Sequence, residues 1–223
     1  MDSDYEGRRL SIAQIAWWSV STVLASGVAL LATGLPASFA SVNTGLLLLV
    51  VMFFIGLFGG ALAGLCAGLI QFVILNGRVS WARRWIWASV CGWAVGIATL
   101  FMVFSIYQIA FFEYPKQGVS EVPFVALTSI AIIIATGAIG ATQALLLHSP
   151  ARVLWRWAGI TAFGWLLGGA AWGGLRLIMP FVWPGTEQAL NYASLPLVAA
   201  IAGIVMGVAL NWLIRTVPAG KVM

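Results

Sequence analysis

Groups able to carry acid–base, nucleophilic or metal chemistry are few in this chain, and they are far apart. The one histidine, His148, stands beside Ser149 and Pro150. To act as a general acid or base it would need a carboxylate or second base within hydrogen-bond reach. Glu113, Glu121 and Glu187 are each separated from it by a long apolar run. His148 is therefore read as a boundary or loop residue, with single ligation of a porphyrin or pigment as the sharper alternative. Cys66 and Cys91 lie inside apolar runs without a CxxC or Cys/His pattern, as small buried thiols do. No catalytic, cofactor-binding or metal-ligating residue is expected, and the residues leave the identity of any cofactor unknown.

The polar groups that remain are amides. Gln71 and Gln143 each interrupt an apolar run, Asn211 lies within one residue of the corresponding place in the last run, and Gln14 is at similar depth in the first. An amide in hydrocarbon needs a partner, and interhelical hydrogen bonds of this kind contribute around 1 kcal/mol or less. Gln71, Gln143 and Asn211 are expected to form an intramembrane polar cluster that ties helices together. A polar-ligand or water site is the alternative.

Composition names the solvent of these residues. The 223-residue chain is 62% hydrophobic and 8% charged, with mean hydropathy +1.03, whereas soluble domains carry roughly 25% charged residues. Its formal charge of +5 comes from 11 dispersed Lys and Arg, which build no phosphate-binding face, so nucleic acid is not an expected partner. Six apolar runs reach the roughly 20 residues that cross a bilayer. They cover 10–31, 46–75, 85–112, 122–147, 153–179 and 195–214. The fold class expected is all-α, a polytopic transmembrane bundle of about six helices in a single membrane domain.

Arg8, Arg9, Arg78, Arg83, Arg84, Arg152, Arg156, Arg215 and Lys221 share one side of this scheme, and only Lys116 and Arg176 fall on the other. By the positive-inside rule both termini are cytoplasmic. Arg8, Arg9, the first run and ASFA at 37–40 also imitate a signal peptide, but the run exceeds an h-region of roughly 7–15 residues. It is read as a span. The connection at 179–196 is expected outside, as a loop or a surface segment with Phe181, Trp183 and Tyr192 immersed.

Sliding the chain on itself by 72 residues superimposes GLIQFVIL (68–75) on GATQALLL (140–147), and RWIWASVCGWAVG (84–96) on RWAGITAFGWLLG (156–168). Spans two and three thus repeat as spans four and five, 60–100 matching 132–172. Spans six and one read as a third, weaker copy in which Trp18 and Thr22 stand for Trp85 and Ser89, and Gly203 and Gly207 for Gly64 and Gly68. Three hairpins about a pseudo-threefold axis would follow.

Glycines recur four apart: Gly56, Gly60, Gly64 and Gly68; Gly92 and Gly96; Gly164 and Gly168; Gly169 and Gly173; Gly203 and Gly207. Lipid gives helices no hydrophobic reason to associate, so such seams are expected to let backbones touch. Trp81, Trp85, Trp87, Trp155, Trp157 and Trp212 are expected in the belt at the arginine-bearing boundary, with Trp172, Trp183 and Tyr192 toward the other boundary. Trp93 and Trp165 lie about nine residues from an arginine, roughly 13 Å deeper, as space-fillers or as the wall of a site for a lipid tail, quinone or pigment.

The repeat unit, G-x-x-Q followed by arginines and then W-x-x-x-[S/T]-x-x-G-W-x-x-G over residues 60–170, resembles that of uncharacterised tryptophan-rich polytopic membrane proteins of bacteria. Phe72 and Ala144 follow the glutamines where that pattern carries tryptophan. The resemblance implies an inner-membrane helical protein and no activity. The function expected is a non-enzymatic scaffold or accessory subunit, in contact with membrane lipids and within a membrane-protein complex or homo-oligomer, holding lipid or an apolar cofactor. A small transporter or channel for a neutral or apolar solute is the alternative, and a membrane enzyme is the third class.

Overall fold

In hydrocarbon an unpartnered backbone N–H or C=O costs several kcal/mol, and a helix satisfies all of them within one segment. Each apolar run accordingly folds as one helix. The computed structural model describes residues 10–40, 46–112, 121–147, 151–182 and 187–216. Arg8, Arg9, Glu113, Lys116, His148, Trp183 and Lys221 lie outside the described residues, as do the side chains of Glu121, Arg176, Phe181, Glu187, Tyr192 and Arg215.

The helices are α1 (Ile12–Ala40), α2 (Leu46–Leu75), α3 (Ala82–Phe112), α4 (Glu121–Leu146), α5 (Ala151–Val182) and α6 (Glu187–Thr216). Among the described residues there is no strand. Two boundaries differ from the sequence reading. α1 continues past Leu31 to Ala40, and α5 and α6 together absorb most of the connection expected at 179–196. Pro196 lies inside α6; a proline there removes one backbone donor, which a membrane helix tolerates when its neighbours take up the freed carbonyl.

Each helix packs on the next, and α6 closes on α1, so the six form a ring. Leu10, Leu75, Trp81, Leu147, Val153 and Leu213 meet in one buried cluster. Consecutive helices are therefore antiparallel, with the start of α1 and the end of α6 at the end of the bundle that carries Arg78, Arg83, Arg84, Arg152 and Arg156. Four helices are long and apolar enough to cross a membrane: Ile12–Thr33, Leu49–Leu75, Ala82–Val103 and Ser194–Ile214. The described apolar stretch of α4, Ile130–Leu146, is shorter. α5 is diluted by glycine and tryptophan, which lower hydropathy without adding charge. Both α4 and α5 nonetheless run alongside the four spanning helices within the ring.

What holds neighbours together is visible at the glycines. A Cβ built on Gly56, Gly60 or Gly64 of α2 would lie 2.8, 2.8 and 2.7 Å from the Cα of Ala98, Ala94 and Val90 in α3, and one on Gly68 would lie 3.0 Å from the Cα of Ile86. At the α3–α4 contact, a Cβ on Gly92 or Gly96 would lie 3.0 and 2.8 Å from the carbonyl oxygens of Ile139 and Ala135. On α5, a Cβ on Gly164 or Gly168 would lie 3.3 and 2.9 Å from the Cα of Ala202 and Val198 in α6. A Cβ on Gly203 of α6 would lie 2.6 Å from the Cα of Ser19, and one on Gly207 would lie 3.2 Å from the Ile15 side chain. Ser19 also donates to the Ala200 carbonyl at 2.8 Å, so α6 and α1 associate as closely as helices joined by a loop.

Gly169 and Gly173 depart from the expectation. A Cβ on either meets nothing within 4 Å, so this pair opens space instead of closing it. Gly64→Ala is expected to lower stability by about 1–3 kcal/mol, because the α3 backbone must move aside. Gly173→Ala is expected to change it by less than about 0.5 kcal/mol. Unfolding of both variants in one detergent checks this; equal losses would show that spacing alone, and not close approach, governs the seams.

Candidate functional site

The polar centre of the ring is built from α2–α3 and α4–α5 in the same way. Gln71, near the end of α2, accepts a hydrogen bond on Oε1 from Trp85 Nε1 of α3 at 2.7 Å. Gln143, near the end of α4, accepts from Trp157 Nε1 of α5 at 3.0 Å. Gln71 Nε2 also donates to Ser21 Oγ of α1 at 3.0 Å, and Ser21 donates to the Trp18 carbonyl at 2.6 Å. Both glutamines are 4% exposed. A buried amide left without partners would cost about 1–3 kcal/mol, and here the indoles supply donors without introducing charge.

The indoles themselves pack across the axis. Trp18 and Trp85 have ring centroids 5.4 Å apart, and Trp85 and Trp157 5.9 Å apart with an edge-to-face angle of 73°. Trp81, Trp85 and Trp157 are at most 1% exposed, so they are not members of the boundary belt expected for them. Trp87 and Trp155, by contrast, are exposed. Residues two apart on a helix point to nearly opposite sides, so the pairs Trp85/Trp87 and Trp155/Trp157 each send one ring inward and one toward lipid.

The third pair of helices, α6–α1, is arranged differently from the sequence reading. Asn211 does not line the centre. Its Oδ1 accepts from Leu10 N at 2.8 Å and ties the start of α1 to the end of α6. Gln14 is not in the cluster either; its Oε1 accepts from Ser11 N at 3.0 Å, and Ser11 Oγ accepts from Gln14 N at 3.3 Å, a capping box at the start of α1.

The packing shows which residue takes the glutamine position. Gly68 packs on Ile86 and Ser89, Gly140 on Ala158 and Thr161, and Gly203 on Ser19 and Thr22. Gln71 and Gln143 follow their glycines by three residues, and three beyond Gly203 is Met206. Met206 lines the same central cavity as Gln71 and Gln143. Trp18 Nε1, buried beside it, has no hydrogen-bond partner. Methionine fills the volume of a glutamine but offers only a weak acceptor.

That central cavity measures about 10 Å³, at the lower limit of the roughly 10–15 Å³ that one water requires. Trp93 and Trp165, 6.1 Å apart and edge-to-face at 74°, line it on one side. The same two rings also line a second cavity of about 680 Å³ bounded by α3, α4, α5 and α6, in the half of the bundle away from the arginines. Its lining includes Leu100, Ile132, Leu166, Leu195 and Val198, together with the open glycines Gly169 and Gly173. Thr136 turns its hydroxyl onto the Ile132 carbonyl at 2.5 Å, so the wall is almost wholly apolar. Periodicity carries no signal for this chamber, because Gly169 and Gly173 share their spacing with the packed seams. Among the described residues no group of His, Cys, Asp and Glu could hold a metal ion, and Cys66 and Cys91 are both free.

Trp85→Phe and Trp157→Phe are each expected to destabilise by about 1–3 kcal/mol, since each leaves a buried glutamine oxygen unpaired. Trp18→Phe breaks no hydrogen bond of its N–H and is expected to have a smaller effect than either. Met206→Gln is expected to create the missing bond, read as a coupling of about 0.5–1.5 kcal/mol between positions 18 and 206 in a double-mutant cycle; a cycle without coupling would show that Met206 is not the counterpart of Gln71 and Gln143. Compared with known proteins, the chain matches no family model, no curated protein and no solved structure.

Proposed function

We propose that this integral membrane protein holds an apolar molecule, a lipid chain or an apolar cofactor, in the chamber between α3, α4, α5 and α6, and acts as a non-enzymatic scaffold or accessory subunit. The observation that carries this reading is the chamber itself. Its volume, about 680 Å³, falls within the roughly 300–1,000 Å³ of ligand clefts. The chamber opens to the surface of the bundle, and an apolar hollow left unfilled forfeits the dispersion contacts of its lining. In a bilayer, hydrocarbon chains are the abundant molecules of matching polarity.

The placement of the arginines supports an orientation with the Trp–Gln centre toward the cytoplasm, both termini on that side and the chamber in the outer half of a bacterial inner membrane. A carrier or channel for a small neutral or apolar solute is the second reading, and one observation favours it: Trp93 and Trp165 are the shared partition between the chamber and the central cavity. Against it stand Trp18, Trp85 and Trp157, which fill the axis below that partition and leave about 10 Å³.

Filling the chamber tests the proposal. A Cβ on Gly169 or Gly173 meets nothing within 4 Å, so Gly169→Phe/Gly173→Phe is expected to fold with unchanged thermal stability. Wild type purified from membranes is expected to carry an apolar molecule, seen by mass spectrometry of organic extracts, that the variant lacks. An identical complement in both would sink the reading, and solute flux through wild-type proteoliposomes blocked by the variant would replace it with the carrier.

A further inference from the structure

Outside the ring, α5 and α6 form a shallow, open trough that shares no residue with the chamber. Its α5 wall is Arg156, Gly159, Ile160 and Phe163. Arg152 precedes Arg156 by one turn, so two cations and an apolar strip lie on one helical face in the order 152, 156, 159, 163. Its α6 wall runs parallel through Ile204, Val208 and Trp212.

Phe163, Ile204 and Val208 are exposed, so the groove faces the surrounding lipid. At its polar end the Arg156 guanidinium lies 5.9 Å from the centre of the Trp212 ring, a cation–π contact that fixes the charge over the groove. Arg152 and Arg156 are both exposed, and among the described residues neither makes an ion pair. No Asp or Glu occurs between Glu121 and Glu187. α5 and the connection before it therefore carry no counter-charge of their own, and the carboxylates nearest to this end along the chain are Asp2, Asp4 and Glu6, which precede α1.

We infer that the α5–α6 groove is a selective site for one anionic phospholipid, its phosphate held by Arg152 and Arg156 and one acyl chain lying over Gly159 between Phe163 and Val208. Cations at the boundary with an apolar trough directly below reproduce the polarity profile of a phospholipid along the membrane normal. A second copy of the chain would bring its own Arg152 and Arg156 against these two unless its register were offset. Gly159 is what gives the chain room: a Cβ there meets nothing within 4 Å.

The experiment places the protein in nanodiscs of equal phosphatidylglycerol and phosphatidylethanolamine, and counts the lipids retained on it by native mass spectrometry. Wild type is expected to retain phosphatidylglycerol in preference. Because each basic residue near a membrane surface is worth about 1 kcal/mol toward anionic lipid, removing two in Arg152→Gln/Arg156→Gln is expected to reduce the preference about thirtyfold. Arg83→Gln serves as control, since Arg83 is an exposed cation of α3 at the same end and lies outside the groove. Gly159→Leu is expected to fold and to release the lipid by filling its seat. Three results would each overturn the inference: no preference in wild type, equal loss in the Arg83 and Arg152/Arg156 variants, or a wild-type dimer that Gly159→Leu converts to monomers. None of them bears on the chamber, which is emptied by different substitutions.

Discussion

Helices in lipid gain little by hiding apolar side chains from a solvent that is equally apolar, so association depends on how closely backbones approach. That constraint shapes the whole ring. Each of the glycines Gly64, Gly96, Gly168 and Gly203 sits where a methyl group would collide with the next helix. Their seams bring α2 to α3, α3 to α4, α5 to α6 and α6 to α1. With the walls drawn in by these contacts, the space at the axis is small enough to be filled by Trp18, Trp85 and Trp157, and the glutamines come within hydrogen-bond reach of the indoles. The polar centre is thus a consequence of the seams, not an independent anchor.

The centre also shows how a buried polar network survives in hydrocarbon. Trp–Gln pairs satisfy the indole donor and the amide acceptor in a medium where either alone would be expensive. Two of the three helix pairs use this solution, and the α6–α1 pair does not. Met206 needs no partner of its own, so the only unsatisfied group created by the exchange is the Trp18 N–H. The amide that α6 retains, Asn211, works nearer the end of the bundle, where it holds the first turn of α1. That bond is well placed to compensate for the missing loop between α6 and α1, since it and the Ser19 bond are interhelical links that α6 makes to α1.

Helix number and order, and all of the glycine seams but Gly169/Gly173, were legible in the sequence because run length and four-residue glycine spacing are direct expressions of bilayer thickness and helical pitch. The same period hid the rest. A pattern that repeats every four residues is ambiguous by one helical turn, so aligning Gly203 and Gly207 on Gly64 and Gly68 brought Asn211 near the glutamine position, while the packing aligns Gly203 with Gly68 and puts Met206 there. Gln14 carried a local signature that settles its role, Ser11 three residues before it, and burial was not needed to recognise it. The inward turn of Trp85 and Trp157 was implicit in their spacing of two from Trp87 and Trp155. Nothing periodic distinguishes Gly169 and Gly173 from glycines that pack, because an open glycine and a crowded one differ only in what the opposite helix presents.

That difference divides the molecule along the membrane normal. In the arginine-bearing half, large indoles at the axis leave a cavity of about 10 Å³; in the other half, small residues and branched aliphatics leave about 680 Å³. The first half is packed as closely as a protein interior, and the second retains volume that close packing would eliminate. Trp93 and Trp165 stand at the junction and belong to both linings. Their edge-to-face contact closes the polar centre on one side and presents a flat apolar floor on the other.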